Sequence, residues 1–134
     1  MEQGYLIDTY VIIDNFGNKL SAKAKALLFS IELTVSAVTK IEVLGWVNAS
    51  NEQLKPLYEF MEIANVLPLN EVVINKTIAL RQIKKIALGD ALIAATALVY
   101  NLILISRNIS DFKNIDGLKA INPHSLYCGI LIQI

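Results

Sequence analysis

A chain of 134 residues that is 54% apolar is long enough to bury one core of its own. Twelve basic and twelve acidic residues cancel, which excludes a nucleic-acid binder that relies on net charge alone. A single cysteine, Cys128, excludes an intrachain disulfide and a thiolate metal cluster, and with a single histidine any Cys–His or Ser–His chemistry would have to run through His124.

The longest apolar stretch, Ala91 to Ile105, is cut by Asn101 and falls short of the roughly 20 residues a spanning helix needs. No basic-then-apolar leader opens the chain, so the expectation is a soluble, cytoplasmic protein with no membrane partner.

Taken in order, Tyr5-Leu6-Ile7 reads as a short strand ending at Asp8, and Val11-Ile12-Ile13 as part of a short helix. From Ser21 to Ile31, Ala22, Ala26 and Phe29, with Leu27, Leu28 and Ile31, recur at helical spacing. Thr34 to Val38 reads as a buried strand. Thr39-Lys40-Ile41-Glu42 then has the form of a capping box opening a helix toward Val47. Asn51 to Ala64 predicts a helix and Asn65 to Pro68 a short strand. Asn70 caps a helix from Glu71 to about Lys85 that carries Val73, Ile74, Ile78, Leu80 and Ile83.

From Ala91 to Tyr100 every residue but Thr96 is apolar or aromatic, the pattern of a buried helix with Asp90 at its mouth. Leu102 to Ile105 predicts a strand, Asn108 to Phe112 a helical turn, Asp116-Gly117 a turn and Lys119 to Ile121 a last strand. Short apolar strands alternating with helices predict an α/β fold built on a parallel sheet. There is one domain, residues 1–123, followed by an apolar tail, 124–134, with no role assigned.

The acids are informative by position. Asp8 ends the first strand, Glu42 is placed in the first turn after the second, Asp90 opens the central helix, and Asp111 follows the Leu102–Ile105 strand. In a parallel sheet the carboxyl ends of all strands face one edge, where ligands bind. Each acid also has a local reading: Glu42 and Asp111 as partners in capping boxes with Thr39 and Asn108, Asp90 as a helix cap, and Asp8 as a turn residue. Together they would repel one another unless a cation sits between them, and no run of Lys or Arg is interleaved. An all-oxygen donor set favours Mg²⁺ or Mn²⁺ over Zn²⁺, and such ions suit phosphodiester hydrolysis.

Four stretches carry a resemblance: Tyr5-Leu6-Ile7-Asp8-Thr9, Val35 to Gly45, Gly89 to Ala97, and Ser106-Arg107-Asn108-Ile109-Ser110-Asp111-Phe112. With Gly117-Leu118-Lys119 and Ile121-Asn122-Pro123 they resemble, in family order, the PIN-domain ribonucleases and within them the VapC-type toxins of toxin–antitoxin pairs. The resemblance implies a five-stranded parallel sheet between helices, a three-layer α/β/α sandwich. It also implies a metal-dependent cut in RNA, inhibition by an antitoxin lying across the active-site groove, and a homodimer. Asp8, Glu42, Asp90 and Asp111 match the family's four acidic positions, with Asp8, Asp90 and Asp111 as metal ligands. Thr9 matches the hydroxyl residue that helps orient the site. Tyr10 departs from the small polar residue usual there, so it could narrow substrate access, stack on a base or point into the core.

Of the remaining polar residues, Asp14 could be a fifth acid near the site but, one helical turn past the strand, reads rather as solvated or a cap, and His124 carries no mark of a base beyond its type. Arg81, Lys84, Lys85 and Arg107 could grip RNA phosphates or an antitoxin carboxylate. For the lysines a solvated helix face is the commoner case, and Arg107, whose fork suits phosphate and carboxylate, is preferred. Trp46 and Tyr58 read as core or dimer-contact residues. The leading reading is a metal-dependent endoribonuclease. The alternatives are a catalytically weak or inactive binding module of the same fold for RNA or a protein partner, and a small-molecule phosphohydrolase. The last is weakened because Tyr10 stands where a second aspartate would be needed.

Overall fold

The computed structural model describes residues 3–125. Five short strands, β1 (Tyr5–Ile7), β2 (Thr34–Ser36), β3 (Asn65–Leu67), β4 (Ile103–Ile105) and β5 (Ala120–Ile121), all pair in parallel. β4 lies between β1 and β5, with Ile105 opposite both Ile7 and Ile121, while β2 pairs with β3. β2 packs beside β1 without sharing its ladder, so the five strands form a three-stranded and a two-stranded sheet side by side. Six helices surround them: α1 (Thr9–Phe16), α2 (Ala22–Ser30), α3 (Ala37–Leu44), α4 (Asn51–Ile63), α5 (Glu71–Ile83) and α6 (Leu88–Val99).

Strand alternation divides the core in two. Ile7, Ile103, Ile105 and Ile121 point to one face and pack with Val11, Ile12, Leu28, Leu57 and Met61 of α1, α2 and α4. Leu6, Leu104 and Ala120 point to the other and pack with Val73 and Leu80 of α5 and Ile93 to Ala97 of α6. This is the three-layer α/β/α arrangement, and each wholly buried leucine or isoleucine stabilises it by about 2 kcal/mol. Among the described residues no helix is long and apolar enough to cross a membrane.

Three local expectations are corrected. α3 begins at Ala37, not after Thr39: Ser36 is the N-cap, and its hydroxyl accepts the Thr39 amide at 3.1 Å. The cap falls three residues before Thr39, which puts Glu42 near the end of α3 rather than in its first turn. α6 begins at Leu88 after Ala87 and has no side-chain cap, so Asp90 is its third residue and not its N-cap. α2 buries Ala24 and Leu28, leaving Phe29 88% exposed, where the spacing had put Phe29 on the core face. The apolar tail from Tyr127, with Cys128, lies outside the described residues.

Candidate active site

Because β1 and β4 pair in register, the residues that follow them emerge side by side. The Asp8 amide donates to the Ile105 carbonyl at 2.9 Å, and the Ser106 hydroxyl donates to Asp8 Oδ2 at 2.7 Å. Asp8 Oδ1 accepts the Thr9 amide at 2.7 Å as α1 begins. Asp8 is only 5% exposed, yet all these partners are neutral. Burial raises its carboxyl above the ordinary carboxylate range, with smaller upward pushes from Glu42 and Asp111, against the lowering effect of its hydrogen bonds to Ser106 and Thr9.

Glu42 is reached through hydroxyls. Thr39 and Glu42 lie three residues apart on one face of α3, and both meet Thr9. The Thr9 hydroxyl donates to Glu42 Oε1 at 2.6 Å and stands 3.2 Å from the Thr39 hydroxyl. A hydroxyl has one proton, and Thr9 spends it on Glu42, so Thr39 is the donor between the two threonines. The other Glu42 oxygen lies against the first turn of α6, where a Cβ on Gly89 would stand 3.3 Å from Oε2. Gly89 thus lets a carboxylate approach the positive end of a helix dipole.

Asp90 follows one residue later. Its carboxyl is pushed up to about 6, first by burial and then by the charges of Asp111, Asp8 and Glu42. Asp111 sits exposed on the 3-10 turn Ile109–Phe112, where Asn108 provides no side-chain cap. The four acids read from the sequence therefore share one electrostatic neighbourhood. Among the described residues no three acidic or imidazole side chains already stand at ligating distance around one point. A hard divalent ion that takes one or two carboxylates and keeps several waters would need only part of this set.

Asp14 contrasts with these. It is 1% exposed, accepts from Arg107 Nη1 at 2.9 and 3.1 Å, and lies 3.2 Å from His124 Nε2. The solvated-or-cap reading of Asp14 is thereby overturned, and Arg107, the preferred phosphate grip, has its charge matched inside the chain. Its guanidinium also lies 4.8 Å above the Tyr10 ring, which is half exposed rather than turned into the core. Trp46 and Tyr58 are likewise exposed. Arg81 remains at the surface, its Nε donating to the Ile86 carbonyl at 3.3 Å.

Ser106 was assigned no role from the sequence, since only the pairing of β1 with β4 brings it to Asp8. Thr39 was assigned the wrong one. The signal for Thr39 was its spacing of three residues from both Ser36 and Glu42.

The PIN domain model matches residues 5–118. The chain belongs to the PIN-domain family. Ribonuclease VapC1 of Rickettsia felis is 27% identical to this PIN domain over 131 residues, covering 91% of this chain and 98% of the relative. The chain in a toxin–antitoxin complex from Klebsiella pneumoniae is 30% identical with a TM-score of 0.75, over 92% of this chain and 100% of that one. FitAcB from Neisseria gonorrhoeae gives 27% identity and a TM-score of 0.76, over 91% and 99%.

Proposed function

We propose that this PIN domain is a metal-dependent endoribonuclease and the toxin of a toxin–antitoxin pair. The observation that carries the reading is an imbalance: among the described residues, four carboxylates in one electrostatic neighbourhood have no basic side chain paired to them, while buried Asp14, six residues past Asp8, has two partners. Such a cluster is electrostatically incomplete until an external cation joins it. Two of the relatives named above, a ribonuclease and a chain of a toxin–antitoxin complex, support the choice of RNA and of an antitoxin partner.

Asp8, Asp90 and Asp111 would hold Mg²⁺ or Mn²⁺. When bound, the ion supplies polarisation of a phosphoryl oxygen and a more acidic water. Glu42, held by Thr9, accepts the proton of the attacking water as its oxygen bonds to phosphorus. The bond from phosphorus to the leaving ribose oxygen then breaks, and that oxygen takes a proton from solvent. Ser106 and the Thr9 amide fix Asp8 so that its position survives the repulsion of its neighbours. Exposed apolar side chains on α5 outside the α5–α6 turn, Val72 and Ile74, and a groove of about 230 Å³ edged by Phe16, Phe29 and Ile63 are surfaces that a homodimer or an antitoxin would cover.

The test is cleavage of a panel of structured RNAs by purified protein with Mg²⁺ or Mn²⁺ against EDTA, beside Asp90→Asn. Metal-dependent cutting that the variant loses is the expected result. Equal cutting by the variant would overturn the reading.

A further inference from the structure

Four carboxylates at a cleavage site repel the substrate that the site must receive. One divalent ion offsets part of that repulsion, but the flanking phosphates need cations of their own. The chain's net charge is zero, so those cations must be local. Arg107 is committed: among the described residues both ion pairs fall on Asp14, and Arg107 forms one of them.

The turn between α5 and α6 has what Arg107 lacks. Arg81, Lys84 and Lys85, with Ile78, Ile86 and Leu88, line an open cleft of about 730 Å³. Arg81 and Lys84 are steadied by backbone carbonyls, those of Ile86 and Lys113, and not by acids. A carbonyl orients a cation without cancelling its charge. Since Arg81 uses Nε for this, its two terminal amino groups remain for the fork that phosphate favours. Leu88 in the cleft wall lies in the same first turn of α6 as Asp90, and Lys84 of the cleft donates to the carbonyl of Lys113, two residues past Asp111, so the cleft adjoins the segments that carry two of the acids.

Resting on the nuclease reading above, we infer that this cleft is the subsite for the RNA backbone beside the scissile phosphate. Arg81, Lys84 and Lys85 bind successive phosphates there. An acidic polypeptide would meet the same three cations, but continuing past Leu88 it would run into four carboxylates. An RNA strand continuing that way delivers a phosphate to the ion those carboxylates hold. The chemistry of the neighbouring site therefore favours RNA over protein as the occupant.

The experiment measures binding of a fluorescently labelled, single-stranded, mixed-sequence RNA to full-length Asp90→Asn protein with Mg²⁺, between about 50 and about 200 mM salt. Lys85→Gln, a change of charge at an exposed side chain, should lower the slope of log K against log salt by about 0.7, and the triple Gln variant of Arg81, Lys84 and Lys85 by about 2. Lys23→Gln with Lys25→Gln on α2 should leave the slope unchanged. In the cutting protein the triple variant should raise KM with kcat within about twofold, as uniform binding predicts. An unchanged slope in Lys85→Gln and in a triple variant that melts like the parent would overturn the subsite. So would a loss confined to binding of an acidic protein partner. If Asp90→Asn cuts like its parent, the nuclease reading fails by itself, while the salt slope still decides the cleft.

Discussion

Asp8 and Asp14 are two buried carboxylates six residues apart, one just before α1 and one within it, and the chain treats them oppositely. Asp14 faces a guanidinium and an imidazole. Asp8 faces a hydroxyl and an amide, with three more acids in its electrostatic neighbourhood. A buried carboxylate given a cation by its own chain is a fastening, because the pair is complete on folding. One given only neutral donors keeps its oxygens oriented and its charge unanswered, and on the proposed reading a cation from outside answers it. Burial alone does not distinguish a structural acid from a functional one; the sign of the neighbours does.

The sharpest way to break that contrast is activity. Asp8→Asn and Asp90→Asn should each lower metal-dependent RNA cleavage by at least about a hundredfold, a barrier change of about 2.7 kcal/mol, measured as initial rates at saturating Mn²⁺. Asp14→Asn should leave kcat of the folded protein close to the parent's.

Stability should reverse the ranking. Asp14→Asn strands Arg107 and should cost about 2 kcal/mol, or roughly 7 °C in Tm for a domain of this size, by thermal unfolding without metal. Asp8→Asn removes a charge that burial and its neighbours disfavour, so its metal-free stability should stay within about 1 kcal/mol of the parent or rise. A large loss in Asp8→Asn would mean that Asp8 too is chiefly a fastening.

pH separates the two regions further. The Asp90 carboxyl is raised from 3.8 to about 6, so the folded state keeps a proton that the unfolded chain has already released. Metal-free stability should therefore fall as pH rises from about 4 to about 6 and level off above, with Asp8 acting in the same direction. A divalent ion must displace that proton, so Mn²⁺ affinity should drop about tenfold per pH unit below 6. Melting curves across pH with and without Mn²⁺ measure both slopes, and Asp90→Asn should flatten each.

The smallest effect sharpens the Asp14 side. Arg107→Lys keeps the charge but loses two bonds from one fork nitrogen and the stacking on Tyr10, and should cost about 1 kcal/mol of stability with cleavage unchanged. A drop in cleavage larger than the drop in stability would show that Arg107 also touches RNA.

The sequence by itself determined the alternation of strands and helices, the α/β class and the positions of the four acids. These rest on signals local in the chain: apolar runs three residues long, a helix apolar all round, and acids placed just beyond strands. Tertiary structure decided what those acids meet. From the sequence α3 opens at Thr39, but Ser36, read as strand, caps it, and Glu42 near the helix end accepts the Thr9 hydroxyl from α1, 33 residues away. Asp14 looked solvated because nothing near it in sequence is basic; its partners lie 93 and 110 residues away. Ser106 acquires its role only because β1 and β4, 98 residues apart, are neighbours in register. Spacing within a helix or strand is written in consecutive residues, whereas the partner of a buried charge is set by which strands pair, and no local pattern encodes that.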